Sequence, residues 1–378
     1  MKAVLFANTD WYLWNFRRSL ALALHQAGHE VLLLSPDGPY GERLRGLGLR
    51  WQALPMDRRS LHPLREARLL LHLWRLLRRE RPQLVHGFTI KCAVYGSLAA
   101  RLARVPARVN AVAGMGYVFT SQDLRARLLR PLLRRLFRPA FAGGNARLIL
   151  QNPDDVALFA GSGLVDPAAI RLIPGSGVDC ARFAPDPART PGPRVRVLLP
   201  ARLLWDKGLA EYAAAARLLR AQGAPVELLL AGEPDPGNPA AVPEATVRGW
   251  VQEGLLQWLG HVQDMPALLR TIDVVALPSY REGLPKGLIE AAACGCALVA
   301  SDVPGCREVV EHGVDGLRVP VRDAPALAQA IARLAADPAL RARLGAAARA
   351  KAEARFDERI VVRDTLAVYR ELCGEAMG

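Results

Sequence analysis

Glu282-Gly-Leu-Pro-Lys-Gly-Leu-Ile-Glu290 is the stretch on which the fold reading turns. The residues before it, Asp273-Val-Val-Ala-Leu277, form a short apolar run that reads as a buried strand, closed by Pro278-Ser279. From Pro285 onward the spacing turns helical, with Leu288, Ile289, Ala292 and Ala293 apolar. Glu282 therefore falls at the carboxyl edge of a strand, where open α/β sheets bind ligands. Glu290 is expected about two turns into the following helix. A carboxylate there is placed to accept hydrogen bonds from both hydroxyls of a vicinal diol such as a ribose, while the helix amino end faces a diphosphate. Two glutamates at this spacing also occur as a solvated loop acid and a surface helix acid. The Gly-Leu-Pro insert between them favours the ligand reading.

A second junction of the same kind lies upstream. Val195-Arg-Val-Leu-Leu-Pro200 reads as a strand, and Ala201-Arg-Leu-Leu-Trp-Asp-Lys-Gly208 leads from it into a helix over Leu209–Leu219. The Arg202 fork and the Lys207 point charge suit a diphosphate leaving group. Around these junctions the chain alternates strand and helix throughout. Strands are expected at Ala3–Ala7, Glu30–Leu34, Leu84–Phe88, Val109–Ala113 and Leu148–Gln151, and again near 195–199, 226–231, 273–277, 297–300 and 317–319. Strands separated by helices of ten to fifteen residues predict parallel sheets, an α/β fold. The Pro- and Gly-dense stretch 174–193 is the natural linker. It divides an N-terminal Rossmann-like domain, 1–173, from a C-terminal one, 194–355, and a last helix occupies 356–378.

With 378 residues the chain is long enough for two cores, and 51 % hydrophobic residues argue against disorder. No apolar run reaches the roughly 18 residues of a spanning helix, and the amino terminus lacks the succession of a signal peptide. A cytoplasmic protein is expected. The six cysteines have no paired metal spacing, and Cys294-Gly-Cys296 falls at a helix-to-strand turn, which predicts buried free thiols. Asp-x-Asp occurs nowhere, so no metal is expected and a diphosphate would be neutralised by Arg, Lys and helix ends. The net charge of +14 calls for an anionic partner, nucleic acid or a membrane surface, unless part of it is compositional bias. Leu124, Leu128, Leu132 and Leu136 recur at steps of four opposite Arg127, Arg130, Arg134 and Arg138. The segment Leu64–Arg81 carries Arg65, Arg68, Arg75, Arg78, Arg79 and Arg81. Both read as amphipathic helices with cationic faces, either solvated or set against lipid headgroups.

Arg202, Lys207, Glu282 and Glu290 together resemble the glutamate–seven–glutamate retaining glycosyltransferases of family 4. That family has the GT-B fold: two facing Rossmann-like domains with parallel sheets and a deep interdomain cleft. Ile173-Pro-Gly-Ser-Gly-Val-Asp179 is similar to its interdomain segment, and Leu259-Gly-His-Val262 with Asp264 to its nucleotide-base loop. Trp11–Arg17, Phe88–Lys91 and Ala113–Phe119 resemble the CapM- and PglA-like subgroup, which extends saccharides on a polyprenyl diphosphate at the bacterial inner membrane. The resemblance implies a hexosyltransferase that moves a hexose or N-acetylhexosamine from a nucleotide sugar, UDP-linked by analogy, to a lipid-linked saccharide. Arg202, Lys207 and Glu282 would be catalytic. Gly283, Leu284, Pro285, Lys286, Glu290 and Val262 would bind the donor, and Asn15, Arg17 and Lys91 the acceptor. The implied partners are the two substrates and the anionic inner-membrane surface, met from the cytoplasmic face, with no nucleic acid. The last helix would cross back to the first domain.

One departure stands out. Many members carry a histidine in the loop corresponding to Asn110–Gly116, and this chain has none there. His86 is near in sequence but falls inside an apolar strand. Three other readings compete. A non-catalytic basic Rossmann-like protein gripping anionic lipid or nucleic acid would be expected to have lost at least one of the four charged residues. A dehydrogenase is disfavoured because Phe6-Ala-Asn-Thr-Asp10 holds no Gly-x-Gly-x-x-Gly. A UDP-sugar epimerase shares the two-domain architecture and is set aside by the motifs alone.

Overall fold

The computed structural model describes residues 1–57, 60, 62–112, 137–190 and 192–374. They form two compact units, Met1–Ser176 with Arg359–Gly378, and Gly177–Glu358. The first is built on β1 (Lys2–Phe6), β2 (Glu30–Ser35), β3 (Arg50–Ala53), β4 (Leu84–Phe88), β5 (Ala107–Ala111), β6 (Ala146–Leu150) and β7 (Ile170–Leu172). These pair in parallel in the order β3-β2-β1-β4-β5-β6-β7. Alternation along β1 sends its side chains to two cores. Ala3 and Leu5 pack with Leu20, Ala21 and Leu24 of α1 (Arg18–Gln26) and with Val361, Val368 and Tyr369 of the terminal helix, Glu358–Cys373. Val4 and Phe6 pack with Leu69, Leu73, Leu76 and Leu77 of α2 (Pro63–Glu80) and with Cys92, Ala99 and Ala100 of α3 (Ile90–Leu102). Covered on both faces, β4 and β5 are buried at every residue, the pattern a parallel sheet demands.

The second unit contains β8 (Val195–Pro200), β9 (Val226–Ala231), β10 (Gln257–Gly260), β11 (Val274–Leu277), β12 (Ala297–Ser301) and β13 (Leu317–Val319), in the parallel order β10-β9-β8-β11-β12-β13. Its core gathers these strands with α4 (Leu209–Ala221), α5 (Lys286–Ala293), α6 (Pro304–Val309) and α7 (Pro338–Lys351). Tyr212 of α4 is fully buried and donates its hydroxyl between the carbonyls of Val197 (2.9 Å) and Leu229 (3.1 Å). Val178, Cys180 and Phe183, inside the stretch read as linker, are also buried in this core. Arg349 of α7 holds them there, donating to the carbonyls of Cys180 (2.9 Å), Phe183 (2.6 Å) and Ala293. Where the chain enters and leaves the unit, Val178 accepts from the Glu358 amide (2.9 Å) and donates to the Phe356 carbonyl (2.8 Å).

Strand order reverses between β1 and β4 in the first sheet, and between β8 and β11 in the second. At such a switch point the loops leaving the two strands diverge and open a crevice at their carboxyl ends. The three strands the sequence reading omits, β3, β7 and β10, all lie at sheet edges. Most expected strand limits agree with the observed ones to within two residues. Among the described residues no helix is long and apolar enough to cross a membrane.

Candidate active site

The β8/β11 switch point brings Lys207 and Glu282 together. Beyond β8 the chain passes Arg202 and closes a single 3-10 turn, Trp205–Lys207; beyond β11 it passes Ser279 and reaches Glu282. Lys207 Nζ stands 2.5 Å from Glu282 Oε1, and the fully buried Ser279 donates its hydroxyl to the same oxygen at 2.7 Å. Two backbone features lock the loops to each other. The Tyr280 amide donates to the Asp206 carbonyl at 2.9 Å. Gly208 has φ +73°, and a Cβ there would lie 2.1 Å from the Pro278 carbonyl oxygen, so only glycine lets the loops approach this closely. The Tyr280 hydroxyl bonds both oxygens of Glu211 (2.8 and 3.0 Å), and burial with that carboxylate pushes its phenol up to about 12.

Arg202 lies on the same loop with its side chain 59 % exposed, and donates to Asp235 Oδ2 at 2.6 Å. Asp235 itself is buried, so it anchors one guanidinium nitrogen of a side chain that is otherwise largely exposed. Glu290 is in the second turn of α5, which begins at Lys286, closer to the helix start than the two turns expected from sequence. Burial raises its carboxyl above the ordinary glutamate range, while Lys286, 3.8 Å away, and Arg182 pull it down. Between the two glutamates, Pro285 is buried and Gly283, Leu284 and Lys286 are partly exposed. Val262 is half-buried against the core, and Asp264 caps the helix Met265–Leu269 by accepting from the Ala267 amide (3.2 Å). The arrangement offers two cations, a preset loop carboxylate and a desolvated helix carboxylate on one rim of one sheet.

The first unit treats its expected residues differently. The helix expected to start near Asn15 begins at Asp10, capped by Thr9, and runs through a π-helical turn, Leu13–Arg17, before α1. Such turns are frequent at functional positions. Asn15 donates to the Trp11 carbonyl at 3.0 Å. Arg17 is 4 % exposed, bonds the Tyr12 hydroxyl at 3.2 Å and lies 4.4 Å from the Phe88 ring centroid. Lys91 turns inward and donates to Glu66 (2.8 Å) and to the carbonyls of Asp57 (2.7 Å) and Ser60 (2.9 Å). All three ammonium donors are engaged within the unit, which leaves none for an acceptor phosphate. His86 is a core residue, 1 % exposed, with Nδ1 2.6 Å from the Tyr369 hydroxyl; burial, with the Arg17 charge, holds its pKa well below the ordinary value.

Ala113–Phe119 and the stripe residues Arg127, Arg130 and Arg134 lie outside the described residues; Arg138 is described, its Nε donating to the Gly163 carbonyl at 3.3 Å. All the described cysteines are free, and every one but Cys373 is buried. Sequence reasoning missed Ser279, read only as the end of a strand, and Asp235, to which it assigned nothing. A carboxylate following β9 at the carboxyl edge of the sheet was the available signal for the second.

Residues 13–175 match the family described as glycosyl transferase 4-like domain, and residues 194–337 match glycosyl transferases group 1. A relative from Campylobacter jejuni, N,N'-diacetylbacillosaminyl-diphospho-undecaprenol alpha-1,3-N-acetylgalactosaminyltransferase, is 28 % identical over 94 % of this chain and 95 % of its own length. The UDP-Gal:alpha-D-GlcNAc-diphosphoundecaprenol alpha-1,3-galactosyltransferase of Escherichia coli is 27 % identical over 82 % of this chain and 80 % of its own. Among solved structures, Anabaena HepE in complex with UDP superposes with a TM-score of 0.79 at 22 % identity, covering 98 % of this chain and 100 % of that one. The two Rossmann-like units on parallel sheets constitute a GT-B fold.

Proposed function

We propose, from the premise that this chain belongs to the group 1, family-4-like glycosyltransferases, that it transfers a hexose or N-acetylhexosamine from a UDP-sugar to a saccharide on a polyprenyl diphosphate, with retention of configuration. The donor class is taken from the E. coli relative and the acceptor class from both relatives named above. The observation that carries the reading is the Lys207–Glu282 pair at 2.5 Å, with Arg202 on the same loop, at the switch point of the second sheet.

In this reading Arg202 and Lys207 hold the diphosphate and stabilise the charge that grows on it as the bond to the anomeric carbon breaks. The acceptor oxygen bonds the same face of that carbon as the diphosphate leaves, and its proton passes to the departing phosphate oxygen. No covalent sugar–enzyme step is needed. Glu282, oriented by Ser279 and Lys207, accepts from donor-sugar hydroxyls, with the backbone of Gly283–Lys286 alongside and Leu284 and Pro285 shaping the wall. Glu290 accepts from the ribose diol, and Val262 lines the base loop. On the first unit Asn15 and Arg17, beside the β1/β4 switch point, serve the acceptor; Lys91 is not retained in that role. Work on a lipid-linked acceptor places the protein on the cytoplasmic face of the inner membrane, against anionic lipid.

The test is a panel of nucleotide sugars incubated with and without undecaprenyl-diphosphate-linked mono- and disaccharides, scored for nucleotide release and for the anomeric configuration of the product. Release of UDP from one sugar, increased by a lipid-linked acceptor and giving a retained linkage, is the expected result. No turnover across the panel, or an inverted product, removes the reading.

A further inference from the structure

We infer that the outer face of α2 is a docking surface for an anionic lipid bilayer, an inference that rests on the lipid-linked acceptor proposed above. The helix has 18 residues, about 27 Å at 1.5 Å per residue, and begins with Pro63 at its first turn. Leu69, Leu73, Leu76 and Leu77 face the sheet and are buried. The opposite face has Leu64 (66 % exposed) and Leu71 (42 % exposed) along its centre. These two stand one heptad apart, and Arg68, Arg75 and Arg78 fall at the i+4, i+11 and i+14 positions of the same face. Arg65, His72 and Arg79 flank them, all exposed, and Trp74 is half-exposed beneath the Arg78 guanidinium at 5.5 Å.

The acids decide the sign of this face. Only Glu66 and Glu80 interrupt the cations on α2, and both turn inward. Glu66 is neutralised by Lys91, and Glu80 by Lys2 at 2.7 Å and Arg50 at 3.2 Å, with Arg79 of the flank also pairing with it at 3.2 Å. Among the described residues no carboxylate pairs with Arg65, Arg68, Arg75 or Arg78. A solvated helix face usually intersperses both signs of charge. A surface of uniform positive charge with exposed leucines at its centre is what an anionic, apolar-cored partner complements: arginines at headgroup phosphates and leucines at the acyl boundary. A nucleic acid duplex would match the charge but offers nothing to Leu64 and Leu71.

The full-length protein is sedimented with vesicles of phosphatidylcholine alone or mixed with phosphatidylglycerol, at low and physiological salt, beside a nucleotide-sugar hydrolysis assay. Wild type should partition onto the mixed vesicles and leave them as salt rises. The triple variant R68E/R75E/R78E should lose at least about 100-fold in partitioning, since each basic residue near such a surface contributes roughly fivefold. L64S/L71S should lose about tenfold with the charge intact. Both variants should keep wild-type hydrolysis, which also reports that they fold. Unchanged sedimentation of the triple variant overturns the assignment, as does wild type preferring duplex DNA over mixed vesicles at physiological salt. If vesicle binding behaves as stated while no lipid-linked acceptor is glycosylated, the docking surface stands and the acceptor reading falls.

Discussion

Lys91 and Lys207 each stand just beyond one of the two strands of a topological switch point, β4 for Lys91 and β8 for Lys207, and each pairs with a glutamate. Their surroundings separate them. Lys91 is locked by Glu66 and two carbonyls, so its charge is consumed inside the first unit. Lys207 is bound to one carboxylate, Glu282, which is itself held by Ser279 at the rim of the sheet. Position at a carboxyl edge makes a lysine a candidate. What decides between a structural tie and a working cation is how many of its donors the fold has already taken.

The sharpest way to break this contrast is to remove both lysines in turn. K207A should lower nucleotide-sugar turnover by about 10²–10³, the usual loss when one preorganised donor to a developing charge is removed, in a protein that still folds; R202A should behave alike. Turnover at the wild-type level in a folded K207A protein would erase the distinction. K91M should do the reverse. It leaves Glu66 buried without its cation and should cost about 1–3 kcal/mol of stability, read from denaturant melts, while turnover at permissive temperature stays near wild type. A K91M enzyme that is stable but unable to use its acceptor would restore Lys91 to the site.

Glu290 sharpens the comparison within the second unit, because there burial works against the charge. Its folded pKa is raised, so the proton it keeps favours the folded state below the unfolded value, and that advantage is lost as pH rises through the folded one. At neutral pH, then, E290Q should stabilise the free protein by about 0.5–1.5 kcal/mol. The same change should weaken UDP binding about 10–100-fold, by loss of a charge-assisted hydrogen bond. Wild-type affinity should already fall with acidification at a pH above the ordinary glutamate range, and calorimetric titrations at several pH values measure both effects. The smallest expected effect is none: with diphosphate charge met by Arg202 and Lys207, chelation with EDTA should leave turnover unchanged. Activity that vanishes and returns with Mg²⁺ would mean these cations are not the principal neutralisers.

Much of this was legible because buried parallel strands write continuous apolar runs. Asp273–Leu277 and Val195–Pro200 could be placed nearly to the residue, and with them the loops carrying Lys207 and Glu282. Two of the edge strands leave no such trace: Arg50–Ala53 and Gln257–Gly260 mix charged, polar and aromatic residues, whereas the edge strand Leu317–Val319 stays apolar enough to be read. Partners were the other blind spot. Nothing near Lys91 in sequence announces Glu66, and nothing near Arg202 announces Asp235, since both meetings depend on tertiary packing. The charge reading of Leu64–Arg81 counted arginines correctly but could not show that the two acids on the helix point the other way.

The terminal helix has a consequence for how the chain is made. Tyr369 closes onto His86, and Val361 and Val368 cover the sheet face of Ala3, Leu5 and Val109, yet this helix leaves the ribosome long after the strands it covers. At about 5–20 residues per second, roughly 15–50 s separate the emergence of β4 from that of its cover. Over that interval the second unit, encoded by one unbroken stretch, can fold, while the first waits with an apolar sheet face open. Of the two units, the one whose strands emerge first is therefore completed second, and the nascent chain needs shielding on that one face.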